Sequence, residues 1–536
     1  MNSKQIVMFF LVLISLLATS CSGLESYRLP SSALEQSSCS ELLLDLFKRA
    51  NDSSLVIKND ISSFLEGGRI AAVDELSNES TTDLLREQIL KYERNDNRGI
   101  EGYFEQMNTP RPFRRFYDPK TGLFQYTPEE VADLAVENGS KKLSAVRINF
   151  LPELEVSRSL LDDYANVLKE EDFQLLVTVP AKYAQKAKEL VRRYPEEVRS
   201  KIKVIAVDTE DINEGELSIW AQDLSKPLAD GHSTYRQSTA VVEQRTRLTD
   251  TAFVDALGKR EDFKVRVSDL SFEGGNIVVG EKKIIMGPDS IYKLMNDLNI
   301  NYAQALETFE KEFGKPIVVL GYPSISGGEV KLNQIAFHAD LTVAVIRNRM
   351  NPNGPETAVL SSLDSLLSKL FGISIEVALD QTRYTSKVNS LLADKSFMAG
   401  LTEKEKLILN ILAVTHHSEI AHEIMKSQYA FLVLKNAGYD VREVPYFHSF
   451  KRVQQGVNLH LGHEMSRETV GMINYTNVVI SDDMVLMPDF GSPKLQAIAE
   501  KTYEELGYSK IYSATASSEY TFCLEGGIRC TSETFR

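Results

Sequence analysis

From about Lys142 onward, short apolar runs alternate with stretches in which apolar positions recur every three or four residues. The first pattern predicts buried strands and the second amphipathic helices. AVRINFL (145–151) reads as a strand. SRSLLDDYANVLKEE (157–171) reads as a helix with Leu160, Leu161, Tyr164 and Leu168 on one face. A strand at FQLLVTV, a helix at KYAQKAKELVRRY and a strand at IKVIAV (202–207) follow. The alternation returns at KKIIMG, Ser290–Leu298 and PIVVLG, and again at TAVLSS, SLLSKLFG and YAFLVLKNAGYDVREVPYF. It returns once more at NVVISDDMVLMP, SPKLQAIAEKTYEELGY and KIYSA. The fold class is therefore α/β. Periodicity leaves open whether the units form one doubly wound sheet or a ring of small units.

The first residues carry a different signal. Lys4 precedes an apolar run from Ile6 to Ala18, too short for a comfortable membrane span and suited to a signal-peptide core. Small residues lead to Cys21. Leu-Ala-Thr-Ser-Cys resembles a bacterial lipobox, with Cys21 as the lipidated N-terminus. Ordinary secretion with cleavage before Cys21 and an uncleaved anchor are the alternatives. The expected division is a signal peptide at 1–20, a Ser-rich tether and accessory region at 21–141, and a catalytic domain at 142–536.

The whole chain has 536 residues, 43% of them hydrophobic and 25% charged, which excludes global disorder and a fibrous rod. The formal charge is −15. A negative field repels phosphate backbones, so nucleic acid is not expected as a partner, whereas a cationic ligand would be attracted. Four cysteines, Cys21, Cys39, Cys523 and Cys530, are too few for a disulfide-held scaffold.

Four segments carry the candidate chemistry. Ser218-Ile-Trp-Ala-Gln-Asp223 joins the single tryptophan, Trp220, to an acid at a predicted strand end. Leu270-Ser-Phe-Glu-Gly-Gly-Asn276 places Glu273 before two glycines that allow close backbone approach. Ile335-Ala-Phe-His-Ala-Asp340 puts His338 and Asp340 two apart in a β-rich run, on one face of a strand. Cys523-Leu-Glu-Gly-Gly-Ile-Arg-Cys530 sets a thiol after a glycine turn near the C-terminus. Singly, each has an ordinary structural explanation: a turn acid, a glycine turn, a core histidine, a small buried thiol. Together they suit attack on a planar cationic carbon. Carboxylates grip a guanidinium through forked hydrogen bonds, and a bound cation favours a thiolate. A histidine moves protons to and from the leaving group and water.

In this order, WAQD, FEGGN, FHADLTVAVI and EGGIRCTS resemble the guanidino-group-modifying (pentein) superfamily. That superfamily includes arginine, agmatine and peptidyl-arginine deiminases. GMINYTNVVI followed by VLMPDFG is similar to its Asn-bearing strand. The resemblance spans residues 142–536, about three quarters of the chain. It implies a five-fold pseudo-symmetric α/β propeller around an acidic pit. It further implies Cys530 as nucleophile, His338 as general acid/base and Glu273 beside it. Asp223 and Asp340 would grip the guanidinium, with Asn474 and Trp220 lining the substrate cleft. The chain departs from the family pattern at Gln222, where the first motif commonly has Arg, and at Leu224-Ser-Lys, which replaces a Gly-Pro turn.

The resemblance implies an exported deiminase that converts a guanidinium, with peptidyl-arginine as the leading substrate, to a ureido group and ammonia. Agmatine or another free guanidine, an amidinotransferase, and a non-catalytic lipid-tethered binding protein are the alternatives. No metal or organic cofactor is required by these steps, and divalent-metal dependence stays open. Thr415-His-His-Ser-Glu-Ile-Ala-His422 and His460-Leu-Gly-His463 lack the metalloprotease spacing. The former is expected to be a solvated helix. A Cys39–Cys523 disulfide is a minor alternative.

Overall fold

The computed structural model describes residues 117–118, 123–124, 131–152, 154–208, 219–237, 245–260, 262–268, 270–326, 329–448, 472–518 and 526–536. The signal-peptide, tether and Cys21 expectations lie outside these residues. No helix among the described residues is long and apolar enough to cross a membrane.

The fold is α/β, and one local topology occurs five times. Each unit is an antiparallel strand pair followed, through a helical connection, by a third strand parallel to the second. In the second unit, Ser225–Pro227 pairs antiparallel with Ser233–Gln237, which pairs parallel with Lys264–Ser268 after the helix Arg245–Gly258. The third unit uses Ile277–Val279, Ile284–Met286 and Ile317–Val319, with the helices Pro288–Leu298 and Tyr302–Phe313 between the last two. In the fourth, Val343–Ile346, Thr357–Ser362 and Asp440–His448 are extended by Met472–Asn474. Its helical connection runs from Leu363–Phe371 to His417–Asn436. The fifth uses Val479–Ser481, Met484–Pro488 and Lys510–Ala514 around the helix Pro493–Glu505.

The first unit is assembled from both ends of the described chain. The C-terminal strand Ser532–Phe535 runs antiparallel to Ala145–Asn149, which pairs parallel with Gln174–Pro180 across the helix Glu155–Val167. Ile202–Val207 adds a further parallel strand. The sequence left a doubly wound sheet and separate small units open; the described strands form separate two-, three- and four-stranded sheets.

Local chemistry explains these elements. Strands such as AVRIN and TAVLSS are buried along their whole length, as parallel strands covered on both faces must be. The helix Tyr302–Phe313 starts in a capping box between Asn301 and Gln304, and Glu403–Val414 in one between Thr402 and Glu405. The tight turn from Ser481 to Met484 places Asp482 at φ 33, a left-handed conformation that Asp tolerates. Leu160, Leu161 and Tyr164 pack on Val146, Ile148, Leu175 and Val177, so the predicted apolar face is the buried one.

Two expectations change. Residues 131–141 were assigned to the accessory region, but Ala132 and Leu134 are fully buried in the core of the third unit. Leu134 also bridges Leu228 in β fashion. Its apolar residues, Val131, Ala132, Leu134, Ala135 and Val136, form one short run, too brief for a period to assign it to the core. His338 and Asp340 were placed on a strand. Instead His338 is extended and Asp340 sits in a 3-10 turn, Ala339–Leu341, ahead of the strand Val343–Ile346.

The C-terminal strand is locked by charge as well as by pairing. Glu533 is fully buried and accepts from Arg147 Nε at 2.6 Å, Ser225 Oγ at 2.7 Å and Thr234 Oγ1 at 2.5 Å. Removing one partner of such a pair strands the other charge in a dry interior. Glu533→Ala is predicted to destabilise the fold by about 3–5 kcal/mol in chemical denaturation, with Glu533→Gln closer to the unaltered chain.

Candidate active site

The side chains that meet here stand at equivalent places: the turn immediately before the first strand of a unit. Asp223 precedes Ser225, Glu273 precedes Ile277, His338 and Asp340 precede Val343, Asn477 precedes Val479, and Cys530 precedes Ser532. The five turns are hydrogen-bonded one to the next. Gly274 N donates to Asp223 O at 2.7 Å, and Ala339 N to Asn276 Oδ1 at 3.1 Å. Asn474 Nδ2 donates to Leu341 O, and Thr476 Oγ1 to Asp340 O at 3.3 Å. Asn477 Oδ1 accepts from Arg529 N at 3.0 Å and Cys530 N at 3.1 Å. Gln222 N donates to Cys530 O at 3.2 Å, which completes the circuit. Buried backbone groups of irregular turns need partners, and here each turn supplies them to its neighbour.

This circuit gathers Cys530, His338 and Asp340 so that one side-chain atom from each lies within 4.8 Å of the others. Cys530 Sγ lies 3.6 Å and 3.7 Å from the two Asp340 oxygens and accepts from Asn477 Nδ2 at 3.1 Å. An apolar collar of Leu341, Met472, Trp220 and Tyr446 packs around the sulfur. His338 Nε2 lies 2.5 Å from Glu273 Oε2, and Nδ1 lies 3.9 Å from Asp223 Oδ1. Two glycines make these approaches possible. A Cβ at Gly275 would overlap the His338 ring, and one at Gly526 the Trp220 ring.

The electrostatics follow from burial and neighbours. Burial pushes the Cys530 thiol well above its usual pKa, and Asp340 and Asp223 add to this; Arg529 and Asn477 oppose it. For His338, burial disfavours the charged ring. Asp223 and Glu273 outweigh burial and hold its pKa above the ordinary value. The thiol is thus protonated and the imidazole inclined to be cationic near neutrality. The Glu273 side chain is 35% exposed, against 4% for His338, so the imidazole meets solvent chiefly through its carboxylate partner. Asp289 also faces this pair: burial and Glu273 hold its carboxyl above the usual range.

The structure brings Cys530, His338, Glu273, Asp223 and Asp340 together, with Trp220 beside them. Asn474 is placed differently from the expectation. It is fully buried, and its Oδ1 accepts from Thr476 N and Asn477 N at 2.9 Å each while Nδ2 caps Leu341 O. It shapes the turn, and Asn477, three residues on, touches the sulfur. The sequence N-Y-T-N offered both asparagines, and a strand reading could not tell which one ended the turn.

Sequence reasoning also missed the charged bed beneath the site. Arg529 donates to Asp340 Oδ2 through Nη1 and to Glu137 Oε2 through Nη2 at 2.6 Å. Lys226 holds the other Glu137 oxygen at 2.8 Å. Gln222, with its amide oriented to match its neighbours, donates to Arg529 O at 2.8 Å and to Asp340 Oδ2 at 3.3 Å, and accepts from Lys226 at 2.8 Å. The residue that departs from the family motif therefore rests on Arg529. As a metal site the Cys530–His338–Asp340 trio fits poorly, because Asp340 already carries a guanidinium and a second cation would meet it at contact.

The helix containing His417 and His422 is present (His417–Asn436) but not solvated as expected. His417 Nε2 bonds Ala378 O at 2.9 Å, and the His422 ring packs edge-on to Tyr322. Cys39, Cys523, His460 and His463 lie outside the described residues.

No family model matches the chain, and no curated protein matches it in sequence. Solved structures resemble it at low identity. The C. jejuni agmatine deiminase is 15% identical over 77% of this chain and 98% of its own, with a TM-score of 0.47. The Enterococcus faecalis agmatine deiminase is 12% identical over 75% and 96%, with a TM-score of 0.46. DDAH from Pseudomonas aeruginosa is 11% identical over 74% and 100%, with a TM-score of 0.30. The likenesses are distant, and the chemistry below rests on this chain's own side chains.

Because Trp220 is the single tryptophan, its emission reports on this site alone. Gly526→Ala is predicted to shift the emission maximum while far-ultraviolet circular dichroism stays constant. An unchanged spectrum would show that the indole does not depend on this glycine.

Proposed function

We propose that this chain is a deiminase: a hydrolase that converts a guanidinium to a ureido group and ammonia through a covalent bond to Cys530. The observation that carries the reading is the meeting of one thiol, one imidazole and three carboxylates in a buried, net-acidic pocket. A planar cation among these groups would satisfy Asp223 and Asp340 through its N–H edges and present its carbon to sulfur. Its charge would also lower the cost of ionising a thiol that burial and two acids hold protonated. We read the five units as blades of a propeller whose inward turns form this pocket.

In the first step the Cys530 thiol, made more acidic by the bound cation, gives its proton to solvent, and the thiolate attacks the guanidinium carbon. The adduct loses ammonia as the C–N bond breaks, with a proton from the His338 imidazolium, and an amidino thioether remains. His338, now neutral, takes a proton from water as its oxygen attacks the same carbon. The C–S bond then breaks as the new hydroxyl group loses its proton to solvent; the neutral ureido product leaves, and the thiolate regains a proton from solvent to restore the resting thiol. Glu273 orients the imidazole and stabilises its charged form. Asn477 donates to the sulfur whenever it is anionic. None of these steps routes electrons or charge through an added cofactor.

The leading substrate is arginine within a peptide, because the apolar leader and Cys21 point to export, with a lipid tether, into a space where peptides are the abundant guanidines. Agmatine and free arginine are the competing members of the same class, and an amine replacing water would make the reaction an amidinotransfer. The test is to incubate the protein with free arginine, agmatine and an arginine-containing peptide and to measure ureido product and ammonia. Product is expected with the peptide foremost; none from any of the three would favour a binding protein over an enzyme.

Two further outcomes follow from the mechanism. Cys530→Ala should lower turnover by roughly 1,000-fold or more while the melting temperature is retained, since a nucleophile has no substitute. The raised thiol pKa means that, without substrate, iodoacetamide should modify Cys530 slowly at pH 7, the rate rising as pH climbs past the ordinary thiol range. Rapid alkylation at pH 7 would contradict a protonated resting thiol.

A further inference from the structure

Of the buried charged side chains that the mechanism leaves unused, one lies next in sequence to the nucleophile. Arg529 is 7% exposed and is bonded on three sides: Nη1 to Asp340 Oδ2, Nη2 to Glu137 Oε2 at 2.6 Å, and Nη2 to Ile277 O at 3.2 Å. Glu137 is itself fixed by Lys226 and by Val279 N at 3.0 Å. Asp340 Oδ2, 3.6 Å from the sulfur, is therefore committed to Arg529 and Gln222, whereas among the described residues Oδ1 is bonded to the sulfur alone, at 3.7 Å.

We propose that Arg529 is a positioning residue of the reaction: anchored by Glu137, its guanidinium pins one oxygen of Asp340, leaves the other for the substrate, and serves as a permanent counter-cation to the Cys530 thiolate. The proposal rests on Cys530 being the nucleophile. Its force comes from the charge balance over a full cycle. In the first step the substrate supplies a positive charge beside the sulfur. In the last step the departing ureido group is neutral, so the thiolate re-forms with Asp340 and Asp223 facing it and no substrate cation left. The cations that remain are the His338 imidazolium, Arg529 and Lys226; His338 is engaged by Glu273 and Asp223, and Lys226 by Glu137. An isolated anion beside carboxylates in a dry pocket is strongly disfavoured, and a fixed guanidinium in contact with one of them offsets this. Arg suits the place better than Lys because its fork reaches two carboxylates and a carbonyl at once. Burial disfavours its charge, but Glu137 and Asp340 outweigh burial, so it stays cationic throughout.

The groups facing the sulfur are Asp340, Asp223, His338, Arg529 and Asn477, and among them Arg529 is the fixed cation. The test measures alkylation of Cys530 by iodoacetamide from pH 7 to 10, with the modified peptide identified by mass spectrometry and no substrate present. Because Arg529→Gln leaves two buried carboxylates facing each other, at a cost to folding, the decisive variant is Arg529→Gln combined with Glu137→Gln, which removes one charge of each sign. Arg529→Lys keeps the charge. The double variant is expected to react at least ~10-fold more slowly than the unaltered chain at pH 8, equivalent to an upward shift of about one pKa unit, and Arg529→Lys to remain within about threefold. A folded double variant with the unaltered pH profile would overturn the proposal and leave Arg529 a packing residue. So would a folded Arg529→Lys chain as slow as the double variant. Since no guanidine is turned over here, failure of the deiminase reading would appear separately, as absence of ureido product from the unaltered chain.

Discussion

The site depends on a circuit of hydrogen bonds in which five irregular turns satisfy one another. Each turn enters the first strand of a unit, and each carries buried polar groups that its own unit does not pair. In a water-poor interior an unpaired amide or carbonyl costs on the order of 1–3 kcal/mol, so the turns are driven together rather than apart. Side chains from positions 223, 273, 338, 340, 477 and 530 thereby converge, although more than three hundred residues separate the first from the last. Pairing of Ser532–Phe535 with Ala145–Asn149 makes this possible, because it joins the turn of Cys530 to the strands of the first unit.

Charge is the second constraint. Asp223, Glu273, Asp340 and Glu137 surround a pocket whose cations are Arg529, Lys226 and a protonatable His338. Glu137, Lys226 and Arg529 compensate one another: burial would raise the Glu137 pKa, but Arg529 and Lys226 bring it down to about 2. The acids nearest the sulfur are less completely balanced. Such a pocket resists a bare thiolate and welcomes a cation, and the two tendencies are linked, since a bound cation removes the obstacle to ionisation. The apolar collar of Trp220, Leu341, Met472 and Tyr446 keeps the local dielectric low and strengthens each of these effects.

The same physics explains why the accessory segment matters. The apolar run of residues 131–136 is too short to show a period, yet Ala132 and Leu134 fill the core of the third unit, and Glu137 anchors the arginine next to the nucleophile. A buried carboxylate is tolerated only with partners, and Glu137 finds two cations and a backbone amide. The segment is thus structurally continuous with the site.

By itself, the sequence determined the α/β texture, the strands and helices that repeat it, and the residue types of the chemistry. Runs such as AVRIN and the spacing of Leu160, Leu161 and Tyr164 are local patterns, and burial acts on them locally. Glu273, His338, Asp340 and Cys530 were legible because each stands in a short motif whose composition is unusual for a strand. Only the tertiary structure decided that Asn477 and not Asn474 touches the sulfur, that His338 and Asp340 occupy a turn, and that Arg529, Gln222, Lys226 and Glu137 form one charged bed. These outcomes depend on contacts between residues tens to hundreds of positions apart, where hydrogen-bond satisfaction and charge pairing choose the partner and no periodicity along the chain records the choice.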